Sequence, residues 1–334
     1  MKIKRLGRTG LKVSEICLGT MTFGNQCDEP ASHAIMDKAF EHGVTFFDTA
    51  DVYPLGGTLK SVGRTEEFVG TWLKGRREQI VLATKFNGQM GDGPNDRGGS
   101  RKHIMQAVEA SLRRLQTDYI DLYQMHAPDY ETPLDETLRA LDDLVHSGKV
   151  RYVGCSNYPA WLLTKALWTS DRLELARFDC VQPRYNLLFR HIEAELFPLV
   201  LDQGVGVISY NPLAGGMLTG RYQAGQALQE GTRFALQNAG PLYRARYWQE
   251  ATMQAVDQLK QVCVERNVPM VQVALAWVLA QPAVTSAIVG ASNAEQLDQS
   301  LPAVDLKLDE ELLATCDGIW YQLPRERSKE VAFR

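Results

Sequence analysis

The sequence predicts an α/β chain folded as a closed (β/α)8 TIM barrel with a short N-terminal β-hairpin. Three observations predict it. Eight short apolar runs rich in β-branched and aromatic residues alternate with helical stretches, which calls for a parallel sheet with helices outside it. Eight such units in 334 residues suit one closed barrel. No G-x-G-x-x-G follows any strand, so the open doubly wound alternative lacks its usual nucleotide signature.

The elements follow in order. Residues 5–14, with Gly7 and Gly10 between short extended pieces, read as the hairpin. The run 16–19 is the first barrel strand, and a helix from about Pro30 to His42 is closed by Gly43. The strand 45–48 ends at Asp48, and a helix covers 65–73. The run 80–84 leads into Lys85, and the glycine-rich 87–99 segment reads as a flexible rim loop before a helix over 101–115. The run 119–125 leads into His126, and Thr132-Pro133 starts the next helix. There Leu134, Leu138, Leu141, Leu144 and Val145 share one face. Strands over 150–155 and 178–181 precede helices over 159–169 and 192–203. After strand 205–209 comes an irregular segment, 211–240, then helices over 247–266 and 271–280. Strand 284–289 and helices over 293–301 and 309–319 finish the pattern.

No composition break interrupts the series, so residues 1–334 read as a single domain, with 1–14 the hairpin and 303–334 a C-terminal helix and tail. Hydrophobic residues make up 45% and charged residues 23%, as in soluble globular proteins. The net charge of −4, with both signs interspersed, offers no surface for nucleic acid. No apolar run approaches the roughly 18 residues of a membrane span, and residues 1–7 lack the apolar core of a signal peptide. The six cysteines show no C-x-x-C pair and read as reduced, mostly buried thiols, pointing to the cytoplasm. No metal site is indicated.

In such a barrel, chemistry gathers where the strands' C-terminal ends emerge. Those ends carry Asp48, Lys85, His126, Ser156-Asn157, Gln182, Tyr210 and Gly290, with Tyr53 five residues beyond Asp48. Hydrogen-bonding side chains stand at almost every end, where a purely structural barrel needs only turn-formers. That pattern says enzyme. A phenol is a poor acid near its ordinary pKa of about 10. An adjacent ammonium, Lys85, favours the phenolate, and the Asp48 carboxylate holds Lys85 charged. His126 can orient a carbonyl oxygen or relay a proton. Together they suit protonation of an oxygen gaining charge as a carbonyl is reduced. The competing readings are a structural Lys85–Asp48 ion pair and a His126 that only caps a barrel layer.

The chain resembles the aldo-keto reductases, in particular their bacterial and potassium-channel-β-like branches. The resemblance rests on Phe47-Asp48-Thr49-Ala50 with Tyr53, on Thr84-Lys85, on Gln124-Met125-His126 and on the segments 148–157, Tyr185-Asn186-Leu187-Leu188 and 210–221. It implies a catalytic tetrad of Asp48, Tyr53, Lys85 and His126, with Tyr53 the general acid. It implies that Ser156, Asn157 and Gln182 hold a nicotinamide carboxamide and that Tyr210 stacks on the ring. Gly19, Thr20 and Met21 would line the same pocket, with Asp48. Asn211, Leu213, Gly215, Thr219 and Arg221 would form a strap around the pyrophosphate. Asn157 before Tyr158-Pro159 also reads as a helix cap, and Gly215-Gly216 as a plain turn.

The segment 290–300 departs from the family pattern. It lacks the basic residue that usually meets a 2′-phosphate, and Ser300 stands where the family usually has an asparagine. Gly290, Ser292, Gln296 and Ser300 are the cofactor residues expected there; Ser292 with Glu295 reads as a capping box whose helix N-terminus attracts anions. The resemblance implies hydride transfer from NADPH, with NADH possible, to an aldehyde or ketone. A nucleotide-binding regulatory subunit and a Schiff-base aldolase using Lys85 are the alternatives. The substrate is expected to be set by rim loops 22–27, 87–99, 128–131 and 222–246, with Phe23, Tyr130, Tyr243 and Trp248 as candidate walls.

Overall fold

Two short strands, β1 (Ile3–Arg5) and β2 (Lys12–Ser14), pair antiparallel with Ile3 opposite Ser14. This is the first feature of the computed structural model, which describes residues 1–223 and 225–324. The part of the C-terminal tail from 325 to 334 lies outside the described residues. The barrel strands are β3 (Ile16–Gly19), β4 (Phe46–Asp48), β5 (Val81–Phe86), β6 (Ile120–Met125), β7 (Val150–Ser156), β8 (Cys180–Gln182), β9 (Gly206–Ser209) and β10 (Val284–Val289). They pair in parallel, in chain order, and β10 returns to β3 to close the cylinder. Around it run α1 (Glu29–Glu41), α2 (Arg64–Leu73), α3 (Arg101–Leu115), α4 (Leu134–His146), α5 (Ala160–Leu173) and α6 (Leu196–Gln203). The sequence continues with α7 (Gly240–Tyr247), α8 (Glu250–Glu265), α9 (Met270–Leu279), α10 (Ala294–Ser300) and α11 (Glu310–Gln322). The fold is a (β/α)8 barrel with a hairpin in front of it.

Side chains alternate across each strand, and that parity splits the core in two. Cys17, Phe46, Ala83, Leu122, Cys180, Ile208 and Ile288 fill the barrel, while Leu18, Phe47, Leu82, Tyr123, Val181, Val207 and Val289 pack outward under the helices. Leu6 and Val13 of the hairpin join the inner cluster and plug the barrel's N-terminal end. Gly7 permits the plug: it has φ +54°, and a Cβ there would lie 2.5 Å from the Gly204 carbonyl oxygen. In seven of the eight strands, the inward position two residues beyond the apolar layer falls at Gly19, Asp48, Lys85, Gln124, Gln182, Tyr210 or Gly290.

Several expected elements shift. The 192–203 helix begins as a 3-10 turn, His191–Glu193, and becomes α-helical only at Leu196. The 211–240 segment contains 3-10 turns at Ala214–Thr219 and Arg233–Ala235, and α7 already begins at Gly240. Pro241 at the start of α7 has no amide to lose there, which suits a short helix that the sequence reading did not expect; the expected 247–266 helix is α8. The 87–99 loop is pinned rather than free. Gly98 N–H donates to the Asn87 carbonyl, Gly93 N–H to Asp96 and Gly99 N–H to Asp129. All six cysteines are buried and unpaired. Among the described residues no single helix is long and apolar enough to cross a membrane.

Candidate active site

At the C-terminal end of the strands the barrel opens into a cavity of about 740 Å³, within the usual range for small-molecule sites. Asp48 is its anchor. It ends β4 pointing inward and is 2% exposed. Its Oδ2 accepts from Lys85 Nζ at 2.5 Å, and its Oδ1 accepts from Gln182 Nε2 at 2.9 Å and Gln124 Nε2 at 3.1 Å. Lys85 also donates to the Thr49 carbonyl at 2.8 Å. Lys85 is fully buried beneath the floor and does not line the cavity, whereas Asp48, Tyr53 and His126 do. Lys85 Nζ lies 5.2 Å from the centre of the Tyr53 ring, and the Tyr53 and His126 rings meet edge to face at 5.7 Å. All four predicted tetrad residues therefore converge.

Burial would push the Lys85 ammonium down, but Asp48 and Tyr53 together hold it above its ordinary pKa. Tyr53 corrects the expectation drawn from the sequence. Burial raises the phenol, Lys85 lowers it and Asp48 raises it again; the result lies above the ordinary value, so burial outweighs the ammonium. Tyr53 thus keeps its proton at neutral pH, beside a cation that favours its phenolate form. His126 is pushed down to about 3 by burial and then by Lys85, so its imidazole is neutral. A permanently charged Lys85 also counts against the Schiff-base aldolase, which requires a neutral amine.

Every residue expected at the cofactor lines the same cavity. Ser156 Oγ donates to the Gln182 carbonyl, and Asn157, at φ +61°, donates from Nδ2 to the His126 carbonyl and Ser156 Oγ. Tyr210 donates its hydroxyl to Asn157 Oδ1 at 2.8 Å. Gln182 spends its amide nitrogen on Asp48 and Gln124, which leaves its oxygen for a carboxamide. Thr20 Oγ1 donates to the Asp48 carbonyl, and the Met21 carbonyl accepts from Leu55 N–H. Asn211 is occupied with scaffolding: Oδ1 accepts from Gly215 N–H and Nδ2 donates to the Tyr247 hydroxyl. Gly215 has φ +71°, and a Cβ there would sit 2.7 Å from the Tyr243 ring, so only glycine fits the turn. Leu213, Thr219 and Arg221 continue that wall.

At the far end the expected capping box is off by one residue. Asn293, not Ser292, caps α10, accepting from Gln296 N–H, while Gln296 Oε1 accepts from both the amide and the hydroxyl of Ser292. The Ser292 donors are thus engaged, and α10 has only seven residues. Ser300 donates to the Gln296 carbonyl, and Gly290 borders the cavity next to Gly19.

Two features escaped the sequence reading. Gln124, one more inward strand position, grips Asp48. The 52–57 loop forms a wall, with Val52, Pro54, Leu55 and Gly56 on the cavity. The expected rim loop 222–246 does reach the cavity: Arg233 and, from α7, Leu242, Tyr243 and Arg246 line it. Conversely, loops 87–99 and 128–131 do not line it; Tyr130 faces solvent and Phe23 is wholly in the core. Trp248 packs on Tyr222 and Phe234, whereas Tyr243 does form a wall. The signal for these walls was weak because loop order in sequence does not say which loop folds inward.

A barrel with polar side chains crowning its strand ends, around a buried Asp–Lys pair and a phenol, defines a barrel oxidoreductase. The chain belongs to the aldo/keto reductase family, whose profile matches residues 15–321. Uncharacterized oxidoreductase YrpG of Bacillus subtilis is 42% identical over 327 residues, covering 96% of each chain. A probable voltage-gated potassium channel subunit beta of Arabidopsis thaliana is 40% identical over 309 residues, 92% of each. The L-glyceraldehyde 3-phosphate reductase of Escherichia coli O157:H7 is 34% identical, covering 95% of this chain and 92% of its own.

Proposed function

We propose that this protein reduces aldehydes or ketones with NADPH, with Tyr53 as the proton donor. The observation that carries the reading is the fully buried Lys85–Asp48 pair directly beneath a phenol that opens onto a cavity. A bound reduced nicotinamide supplies the hydride. Gln182 Oε1, Asn157 and Ser156 suit its carboxamide, and the Tyr210 ring suits one face of it, leaving the other open. Tyr53 gives its proton to the carbonyl oxygen, Lys85 stabilises the phenolate left behind, and Asp48 keeps Lys85 charged. Neutral His126 orients the carbonyl oxygen by hydrogen bonding.

The phosphorylated cofactor is favoured by Arg233. Thr22 Oγ1 donates to the Ala291 carbonyl at 2.8 Å, Cys27 Sγ contacts the Ser292 carbonyl, and Gln26 Nε2 donates to the Gly231 carbonyl at 3.3 Å. The 22–27 loop thus bridges Gly231 and residues 291–292, and Arg233, which lines the same cavity, is the cation proposed for the 2′-phosphate that the 290–300 segment does not meet. Arg221 serves the pyrophosphate. The cytoplasm, which keeps thiols reduced, suits six buried unpaired cysteines.

Similarity to channel β subunits keeps a regulatory role as the second reading. A panel of aldehydes and ketones, followed by loss of absorbance from the reduced cofactor, separates the two. Turnover with rapid cofactor release supports the reductase. Stoichiometric retention of dinucleotide without turnover on any carbonyl supports the regulatory subunit.

A further inference from the structure

Behind the catalytic turn lies a second group of buried ionisable side chains that the proposed chemistry does not use. Glu66 on α2 is fully buried, and both its oxygens are committed: Oε1 accepts from Thr84 Oγ1 at 2.6 Å and Oε2 from Arg114 Nε at 2.7 Å. Asp51 is also fully buried, yet neither of its carboxyl oxygens makes a hydrogen bond. Tyr123, whose hydroxyl is likewise without a partner, faces it from β6. The charges that reach Asp51 are Glu66, Arg114 and Lys85. Lys85 already neutralises Asp48, and Arg114 already neutralises Glu66. No counter-charge is left for Asp51, and an isolated buried carboxylate is costly enough that the group takes a proton instead.

Its backbone connects this cluster to the site. Asp51 N–H donates to the Lys85 carbonyl at 3.1 Å, Tyr53 N–H donates to the Ala50 carbonyl, and the Tyr53 carbonyl accepts from Gly63 N–H. The Arg114 side chain in turn packs against Gly63. We propose that Asp51 is a positioning residue, held as a neutral acid, whose docking beside the Glu66–Arg114 pair fixes the turn that presents Tyr53. Burial and Glu66 push its carboxyl well above the ordinary range, and Arg114, the nearby Val52 amide and Lys85 oppose them less strongly. The role rests on Tyr53 as the proton donor.

The test compares wild type, Asp51→Ala and Asp51→Asn, each as the full chain. Asp51→Ala is expected to lower kcat about tenfold or more with dinucleotide Kd unchanged, because a displaced reacting group is costly. Asp51→Asn, which copies a neutral carboxyl, restores most of that loss. The second readout is independent of turnover. An acid protonated in the fold but ionised in the unfolded chain destabilises progressively as pH rises above about 4. The melting temperature of Asp51→Asn should therefore gain on wild type between pH 4 and about pH 8. A constant difference overturns the neutral acid, and wild-type kcat in Asp51→Ala, or no rescue by asparagine, overturns the positioning role. Wild type that binds dinucleotide but reduces no carbonyl refutes the Tyr53 reading instead, while the melting series still decides the charge of Asp51.

Discussion

Gln182 and Asp48, 134 residues apart, share a 2.9 Å hydrogen bond at the floor of the barrel. With Gln124 on the same oxygen and Lys85 on the other, one carboxylate is satisfied by side chains from three strands, β5, β6 and β8. Such a network is rigid because every member has a partner, and it fails when one is removed.

Asp48→Asn should therefore be severely destabilising. Lys85 would be left as an unpaired buried cation, and breaking a buried pair from one side costs about 3–5 kcal/mol. Urea unfolding measures it. A loss below about 1 kcal/mol, as for exposed pairs, would mean that water reaches Lys85.

Tyr53→Phe removes only the phenolic oxygen, so fold and dinucleotide affinity should survive while kcat falls by about a hundredfold or more. Because burial holds the phenol above its ordinary pKa, wild-type reduction should stay level across neutral pH and decline only above about pH 10. Retention of a tenth of wild-type turnover in Tyr53→Phe, or a decline centred near neutrality, would remove Tyr53 as the acid.

The neutral imidazole of His126 has a signature in stability. The unfolded chain protonates near 6.5, while the folded protein resists until about 3. Between those values the unfolded state binds more protons, so stability falls as pH drops through the window and is fully present above it. His126→Asn should flatten this slope in melting curves from pH 7 to about pH 4. An unchanged slope would show a His126 that protonates freely in the fold.

Arg233→Ala should weaken NADPH more than NADH, because only the former presents a 2′-phosphate. The expected loss is about tenfold or more in Kd for NADPH, diminishing as salt rises. Equal losses for both cofactors would assign Arg233 to a part that they share.

The barrel and its ring of inward polar residues were legible because both depend on strand parity, which sequence carries directly; Tyr53, on a loop, was legible by its spacing from Asp48 and by the family resemblance. Asp48, Lys85, Gln182 and Tyr210 stand two residues past an inward apolar residue. Gln124 obeys the same parity but passed as part of a strand, since a glutamine before Met125-His126 looks like spacing rather than grip. The placement of Asp51 beside Glu66 was illegible, for it needs α2 and the turn that carries Tyr53 to meet in three dimensions. The 222–246 segment was legible as a rim loop, but its glycines and prolines say turn without saying that α7 forms there or which of its side chains land on the cavity. The Tyr53 shift was misjudged for a different reason: proximity of charge can be read from spacing, but desolvation cannot.

The alternating parity that carries Asp48, Lys85, Gln124 and Gln182 inward also separates two kinds of heredity. The carboxylate, ammonium and amides beneath the proposed proton donor are fixed to the barrel's register, where a single inserted residue would turn them out toward the helices. The surface on α7 that would meet the rest of a substrate hangs from a connection that tolerates exchange. Such a barrel can therefore change what it admits by altering that connection, while the buried groups stay where the strands put them.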